Sequence, residues 1–311
     1  MITTVKNDQI LHPLLEQYQI ELFIKREDLL HPHISGNKFR KLKYNTAKAK
    51  QQNKQTLLTF GGAYSNHIVA TACAGNLYGF KTIGIIRGEE LGVDLSKTLA
   101  QNNTLAFAVK QGMQLHFISR SEYKLKEKAT FITGLQKRFG DFYLVPEGGT
   151  NELAIQGCTE ILTPNDHSFD VICCAVGTGG TITGLIRSAQ PEQHVIGFPA
   201  LKETYLHKEI SKKTTQTNWE LNRNYHLGGY AKTTPELISF INEFYKTQKI
   251  LLDPIYTGKL LHGIFESIKQ GNFRKKTRIL AIHTGGLQGI AGINTKLKKK
   301  GQKLITTNYE I

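Results

Sequence analysis

The chain has little of what holds a secreted or membrane-spanning protein together. Its 311 residues include four cysteines, Cys73, Cys158, Cys173 and Cys174. None stands in a C-x-x-C pair, and Cys173 and Cys174 are neighbours inside an apolar run. A disulfide framework and a thiolate metal site are therefore not expected, and no metal is assigned. Buried free thiols in a reducing cytoplasm are the better reading. No apolar run approaches the roughly 18 residues needed to span a bilayer. Met1-Ile2-Thr3-Thr4-Val5-Lys6 has no apolar core of a secretory signal. The expectation is a cytoplasmic protein with no membrane partner.

Acidic residues are scarce beside basic ones. There are 25 Asp and Glu against 40 Lys and Arg, a formal net charge of +15. Nucleic acid is the first partner such a balance suggests. Yet the lysines are scattered, with small clusters at 124–128, 274–278 and 296–303, and none is interleaved with aromatics as in a recognition motif. No nucleic-acid partner is expected. A positive field can also gather small anions. There is no internal repeat and no low-complexity linker, and the length allows two domains with a sizeable core.

What the chain has is alternation. Apolar, β-branched runs at 22–25, 56–60, 82–87, 114–118, 142–145, 170–176, 194–198, 250–252 and 278–282 read as strands. Amphipathic stretches at 65–78, 94–111, 121–139, 181–189, 234–246 and 259–270 read as helices. Strand and helix in turn predict an α/β architecture with mainly parallel sheets. The polar stretch 211–224 reads as a surface excursion, and the basic residues after Asn294 as a solvated helix end.

The chemistry gathers at turns. Ser35-Gly36-Asn37-Lys38 opens a helix-forming run. Wound at 3.6 residues per turn, Lys38 shares a face with Leu42, Asn45 and Ala49, Lys41 sits at its margin, and Arg40, Lys43, Lys48 and Lys50 fall elsewhere. A buried lysine has its pKa lowered by desolvation and by nearby cations, which makes its amine a nucleophile. Taken alone, the stretch also reads as a surface lysine at a helix start. After the run at 56–60 comes Gly61-Gly62-Ala63-Tyr64-Ser65-Asn66-His67, where hydroxyl, amide and helix N–H groups suit a carboxylate. After 170–176 comes Gly177-Thr178-Gly179-Gly180-Thr181. It lacks the third glycine of a dinucleotide fingerprint and the Gly-Lys-Ser/Thr of a Walker loop, so a monophosphate fits best. Asp253-Pro254-Ile255-Tyr256-Thr257-Gly258-Lys259 and His283-Thr284-Gly285-Gly286 put further hydroxyls at late strand ends, where open α/β sheets bind ligands.

Together these segments, with Gly228-Gly229-Tyr230, resemble the 1-aminocyclopropane-1-carboxylate deaminase / D-cysteine desulfhydrase family. That family belongs to the tryptophan-synthase β-like class (fold type II) of pyridoxal 5′-phosphate enzymes. The most specific motif is Ser35-Gly36-Asn37-Lys38-Phe39-Arg40-Lys41-Leu42, which is similar to the family's cofactor-lysine segment. The resemblance runs in motif order from about Leu11 to Gly289. It implies two domains, each a mainly parallel twisted sheet flanked by helices, with the cofactor between them. Residues 1–42 and 148–311 would form the larger domain and 43–147 the smaller insert. It also implies a homodimer acting on a small amino acid.

The same resemblance assigns roles. Lys38 would carry the cofactor and act as general base. Gly177, Thr178, Gly179, Gly180 and Thr181 would hold its phosphate and Asn66 its 3′-oxygen. Tyr256 would stack over or near its ring, and Thr257 or Thr284 would lie near the pyridine nitrogen. Ser65, Asn66 and His67 would hold the substrate carboxylate, and Tyr230 would face the substrate. Two positions depart from the deaminase pattern: Tyr256-Thr257 stands for Tyr-Glu, and Thr284 for Leu. His67 stands where glutamine is more usual. A threonine can only hydrogen-bond the ring nitrogen, which gives a shallower electron sink than a glutamate. That favours elimination of a β leaving group over cyclopropane opening. The expectation is α,β-elimination, with D-cysteine giving pyruvate, hydrogen sulfide and ammonia. Cyclopropane opening, a lyase or racemase for another small amino acid such as serine, and a non-catalytic basic binding protein are the alternatives.

Overall fold

The computed structural model describes residues 5–202 and 204–308. Within them are ten strands: β1 (Asn7–Ile10), β2 (Glu21–Lys25), β3 (Thr56–Gly61), β4 (Lys81–Arg87), β5 (Met113–Ile118), β6 (Tyr143–Val145), β7 (Val171–Val176), β8 (His194–Pro199), β9 (Trp219–Leu221) and β10 (Arg278–Ile282). They form two sheets, one of six strands in the order β1-β2-β10-β7-β8-β9 and one of four in the order β5-β4-β3-β6. Every pairing is parallel except β1 with β2. All six residues of β7 are buried, as a parallel strand covered on both faces requires. The larger sheet draws its strands from 7–25 and 171–282, the smaller from 56–145. The 42/43 division expected from the sequence falls inside the helix Asn37–Gln51.

That helix links the two halves. It packs on the helix Asn66–Tyr78 of the smaller sheet and on the helix Glu152–Thr159, which in turn packs on Gly180–Ser188. Small residues set these crossings. A Cβ on Gly157 would lie 2.0 Å from the carbonyl oxygen of Arg40, so the two backbones touch. Packing this close admits no methyl group. The result carries the first turn of Asn37–Gln51 to the N-terminus of Gly180–Ser188. All four cysteines are free and buried, and Cys158 lies in the middle of this stack.

Several elements differ from the sequence reading. β1 has one buried residue in four, and β9, at the opposite edge, is three residues long inside the stretch read as a surface excursion. Neither carries a period long enough to see. Residues 250–252 are buried but join no ladder. The stretch 94–111 is two helices, Leu95–Gln101 and Asn103–Lys110, because the Asn102 side chain accepts from Leu105 N at 3.0 Å and donates to Ala63 O at 3.1 Å. The stretch 121–139 likewise divides into Arg120–Tyr123, closed by a Ser119–Glu122 capping box, and Ala129–Phe139. The basic end, by contrast, is as read: it forms the exposed last turn of the helix Gly289–Lys299.

A buried ion pair ties β2 to the turn before β7. Lys25 Nζ donates to Asp166 Oδ2 at 2.7 Å, with 2% and 1% of the side chains exposed. Thr163 N and Oγ1 donate to the same oxygen, and Asn7 Nδ2 to Oδ1. Burial works to raise the Asp166 pKa, but Lys25, Asn7 and the other donors outweigh it and hold it below the usual value. A carboxyl with a lowered folded pKa stabilises at neutral pH, and that contribution begins to fall at the unfolded value of about 4 and is lost as pH falls through the lower folded pKa. Asp166→Asn is expected to cost about 3–5 kcal/mol at pH 7 by stranding Lys25. In urea titrations the difference from wild type should shrink once the pH is below about 4.

Candidate active site

The loops after β3, β7 and β10 leave the carboxyl ends of their strands and meet in one place. The helix Asn37–Gln51 starts there. Gly36, its N-cap, has φ 59° and ψ −135°. A Cβ on it would lie 1.9 Å from Thr284 O, the oxygen that accepts from Asn37 N at 3.3 Å. Only glycine allows the helix to begin against that backbone. Lys38 follows, and its Nζ donates to Gly148 O at 3.2 Å. Burial, and then the neighbouring Lys41 charge, pushes the Lys38 amine well below its ordinary pKa. It is therefore available as a neutral base or nucleophile.

Lys41 is the residue that helical-face reasoning placed at the margin. It is 2% exposed. Its Nζ donates to the same Gly148 O at 3.0 Å and to Thr150 Oγ1 at 3.1 Å. Burial lowers its pKa too. Among the described residues neither lysine has a carboxylate partner. Lys38 and Lys41 are three apart, hence neighbours on the helix surface, and that spacing is the signal that could have found the second amine. The loop Gly177–Thr181 stands directly opposite. A Cβ on Gly180 would lie 3.4 Å from Lys41 Nζ. Asn37 Nδ2 donates to Thr181 Oγ1 at 2.8 Å, and Thr178 Oγ1 bonds Thr150 Oγ1. Free N–H groups at the start of Gly180–Ser188, a buried cation and two hydroxyls make an anion cradle. These residues fit a phosphate. A bound anion would raise the Lys41 pKa that burial lowers.

The loop 62–65 and the helix Asn66–Tyr78 form the next wall. Ser65 caps the helix, accepting from Ile68 N at 3.4 Å. Asn66 Oδ1 is buried with no partner among the described residues, and Asn66 lines the same cavity as Lys38. A buried orphan acceptor beside the lysine again fits a missing polar group. The His67 side chain is turned inward. Thr59 Oγ1 donates to Val145 O at 2.8 Å, so His67 Nε2 donates to Thr59 Oγ1 at 2.9 Å. Burial, Lys38 and Lys41 hold the ring neutral. His67 can offer a carboxylate its backbone N–H in the first turn, while its ring is committed to β3.

Tyr256 lines the cavity beside Gly177. Burial, then Tyr230, raises its hydroxyl pKa well above the ordinary value, so it keeps its proton. The Tyr230 ring lies 6.3 Å from it at 63°. Two buried charged residues that sequence reasoning gave no role position these rings. Asp253 accepts from Ile255 N, Tyr256 N and Thr257 N at 2.8, 3.0 and 2.8 Å. Lys259 Nζ donates to His226 O and Gly229 O, both at 2.7 Å, pinning the segment that carries Tyr230. Burial brings the Lys259 amine down to about 8, with Asp253 working in the other direction. Thr257 is corrected by the geometry. It is fully buried, its hydroxyl donates to Asp253 Oδ1 at 2.9 Å and accepts from Asp253 N at 2.9 Å, and it does not line the cavity. Of the two threonines expected near a ring nitrogen, Thr284 is the one in the wall.

The space itself has two parts. A recess of about 80 Å³ is lined by Lys38, Lys41, Asn66, Thr178, Thr181 and Thr284. A wider cavity of about 480 Å³ shares Lys38, Asn66, Gly177, Thr178 and Tyr256 with it and adds Ser65, His67, Arg87, Glu147 and Tyr230. Among the described residues no group of His, Cys, Asp and Glu could hold a metal ion.

Comparison with known proteins gives the family and the fold. Residues 9–285 match the family model described as pyridoxal-phosphate dependent enzyme. The chain is 32% identical to the mitochondrial bifunctional D-cysteine desulfhydrase/1-aminocyclopropane-1-carboxylate deaminase of Arabidopsis thaliana, over 87% of this chain and 73% of that one. It is 28% identical to the D-cysteine desulfhydrase of Klebsiella pneumoniae (strain 342), over 86% of this chain and 87% of that one. The crystal structure of an ACC deaminase homologue superposes with a TM-score of 0.79 at 26% identity, covering 95% of this chain and 93% of the other. The two parallel sheets flanked by helices are the fold expected from the motifs.

Two substitutions test the supporting cations. Lys41→Met is expected to raise the dissociation constant for pyridoxal phosphate about tenfold or more, the size of a lost charged hydrogen bond. Pyridoxal, which has no phosphate, should bind equally to both proteins in an absorbance titration. Lys259→Met leaves the buried Gly229 carbonyl and the half-buried His226 carbonyl unpaired and should cost about 1–3 kcal/mol in a denaturant melt. Because it frees the Tyr230 segment, it should also raise KM.

Proposed function

The chain belongs to the pyridoxal-phosphate dependent enzyme family, and from that premise we propose that it catalyses α,β-elimination on a small amino acid, D-cysteine giving pyruvate, hydrogen sulfide and ammonia. When bound, the cofactor supplies an electron sink for the pair left at Cα. Lys38 would carry it, Lys41 and Gly177–Thr181 would hold its phosphate, and Asn66 its ring oxygen. The N–H groups at the start of Asn66–Tyr78, with Ser65, orient the substrate carboxylate. The neutral Lys38 amine takes the α-proton at Nζ. Tyr256 keeps its proton at neutral pH and can donate a hydrogen bond to the departing sulfur, with Tyr230 closing the other side of the substrate.

The observation that carries the choice of substrate is Thr284 in the recess wall, together with a Thr257 hydroxyl already engaged by Asp253. Neither position offers the cofactor a carboxylate. A neutral hydroxyl suits a substrate with an acidic α-proton and a good β leaving group better than one whose ring must be opened without such a proton. Among the described residues no helix is long and apolar enough to cross a membrane. A cytoplasmic homodimer, with 43–147 as the smaller domain, completes the proposal.

The test is an absorbance spectrum of the purified protein with D-cysteine and with 1-aminocyclopropane-1-carboxylate, beside Lys38→Ala. A visible band perturbed by D-cysteine, with pyruvate and sulfide released, is expected. Lys38→Ala should lower turnover about 10²–10⁴-fold, the range for loss of a positioned base. Equal or better kcat/KM on the cyclopropane substrate would make the protein a deaminase. No visible band after adding pyridoxal phosphate would point instead to a non-catalytic binder.

A further inference from the structure

The cavity that holds Lys38 carries more positive charge than a simple amino acid answers. Arg87, Lys296 and Glu147 stand in its wall. Glu147 is already engaged at both oxygens. Tyr123 Oη donates to Oε1 at 2.7 Å, and Lys126 Nζ lies 3.3 Å from Oε2. Arg87 is different. It ends β4, is exposed, and its guanidinium carbon lies 5.5 Å from the centre of the Tyr123 ring. Its Nη2 is 3.6 Å from where a Cβ on Gly62 would stand, so it reaches the loop that leads into Ser65 and Asn66. Among the described residues its guanidinium makes no hydrogen bond and meets no carboxylate. Lys296, on the helix Gly289–Lys299, has no acidic partner there either.

In the reading above, the substrate α-carboxylate goes to the start of Asn66–Tyr78 and the cofactor phosphate to Lys41. Arg87 is left without an anion. A planar fork of donors is shaped to take a carboxylate with two parallel hydrogen bonds, and an aromatic face beside it limits the orientations it can adopt. The geometry points to Arg87 as a specificity-determining residue that receives a second carboxylate, carried on the leaving group of a β-substituted amino acid. This rests on the elimination reading of the same site. For a β-thioether the Cβ–S bond breaks and the sulfur keeps the bonding pair. The proton lost at Cα is balanced by the one gained by the thiol. One water then enters, and pyruvate and ammonia leave. No oxidant or reductant is consumed.

The experiment uses a matched pair. S-carboxymethylcysteine and S-carbamoylmethylcysteine, each as both enantiomers, have the same shape and differ in charge. The cofactor-loaded protein should prefer the charged member about tenfold in kcat/KM, the size of an exposed charge-assisted bond. Arg87→Gln should bring that ratio near one, and Arg87→Lys should keep part of it. Calorimetric binding of glutamate against glutamine, which need no elimination, should show the same preference and the same loss. A wild-type protein without the preference in either measurement overturns the proposal. So does an Arg87→Gln protein that weakens both members of the pair equally, since Arg87 would then serve the α-carboxylate or the fold. An Arg87-dependent preference for glutamate with neither thioether nor D-cysteine turned over supports the carboxylate site and overturns the elimination reading.

Discussion

Two lysine amines share one carbonyl oxygen. Lys38 and Lys41, on successive turns of one helix, both donate to Gly148 O, and no carboxylate among the described residues balances them. Desolvating two like charges side by side is unfavourable, so one or both must lose a proton or an anion must be supplied. Either outcome is chemistry. In the proposed reading a deprotonated Lys38 is the base and nucleophile, and Lys41 facing an anion is the phosphate anchor. A carboxylate placed here would quiet both amines and remove the reason for the site.

Holding two amines in place needs rigid support from three directions. From below, Gly36 sits against Thr284 O so that the helix can begin at the end of β10. From the side, Gly157 lets Glu152–Thr159 touch the backbone of Arg40. From opposite, β7 delivers the start of Gly180–Ser188. Thr284 and the start of Gly180–Ser188 follow strands of the larger sheet, while Gly148 follows β6 of the smaller one. The shared carbonyl is thus a point at which the two sheets meet. Asp253 and Lys259 repeat the device on the substrate side. Buried charges bind backbone atoms and fix two tyrosines without touching the reacting space themselves.

The strands and turns were legible because each carries a local signal. A continuous apolar run such as Val171–Val176 reads as a covered strand, and Gly-Thr-Gly-Gly-Thr after it as a tight turn into a helix. Edge elements were not legible. β1 and β9 are short and half-exposed, so their pairing comes from a neighbour distant in sequence. Nor was the break at Asn102, which exists because its side chain reaches Ala63 O, 39 residues away. The segment Asp253–Lys259 was read as a ligand-facing turn, and Tyr256 is one. Thr257, next to it, is consumed by the carboxylate that shapes the turn.

The residue types by themselves carried the resemblance to the family and the expectation of its cofactor. A lysine after Ser-Gly-Asn, a glycine-rich turn and tyrosines at later turns resemble a pyridoxal-phosphate enzyme family in their order, and that order is written in the sequence. Tertiary structure decided which side chains face the cavity. Helical periodicity placed Lys41 at a margin, and only the Gly148 turn and the helix Gly180–Ser188 make that margin the interior. His67 lies in the substrate loop by sequence, yet Thr59 turns its ring away. Arg87 is an ordinary strand end until β4 is set beside β3 and its guanidinium comes out over the Gly62 loop. Contacts between distant segments depend on register and packing, and those are properties of the assembled sheets rather than of any stretch within them.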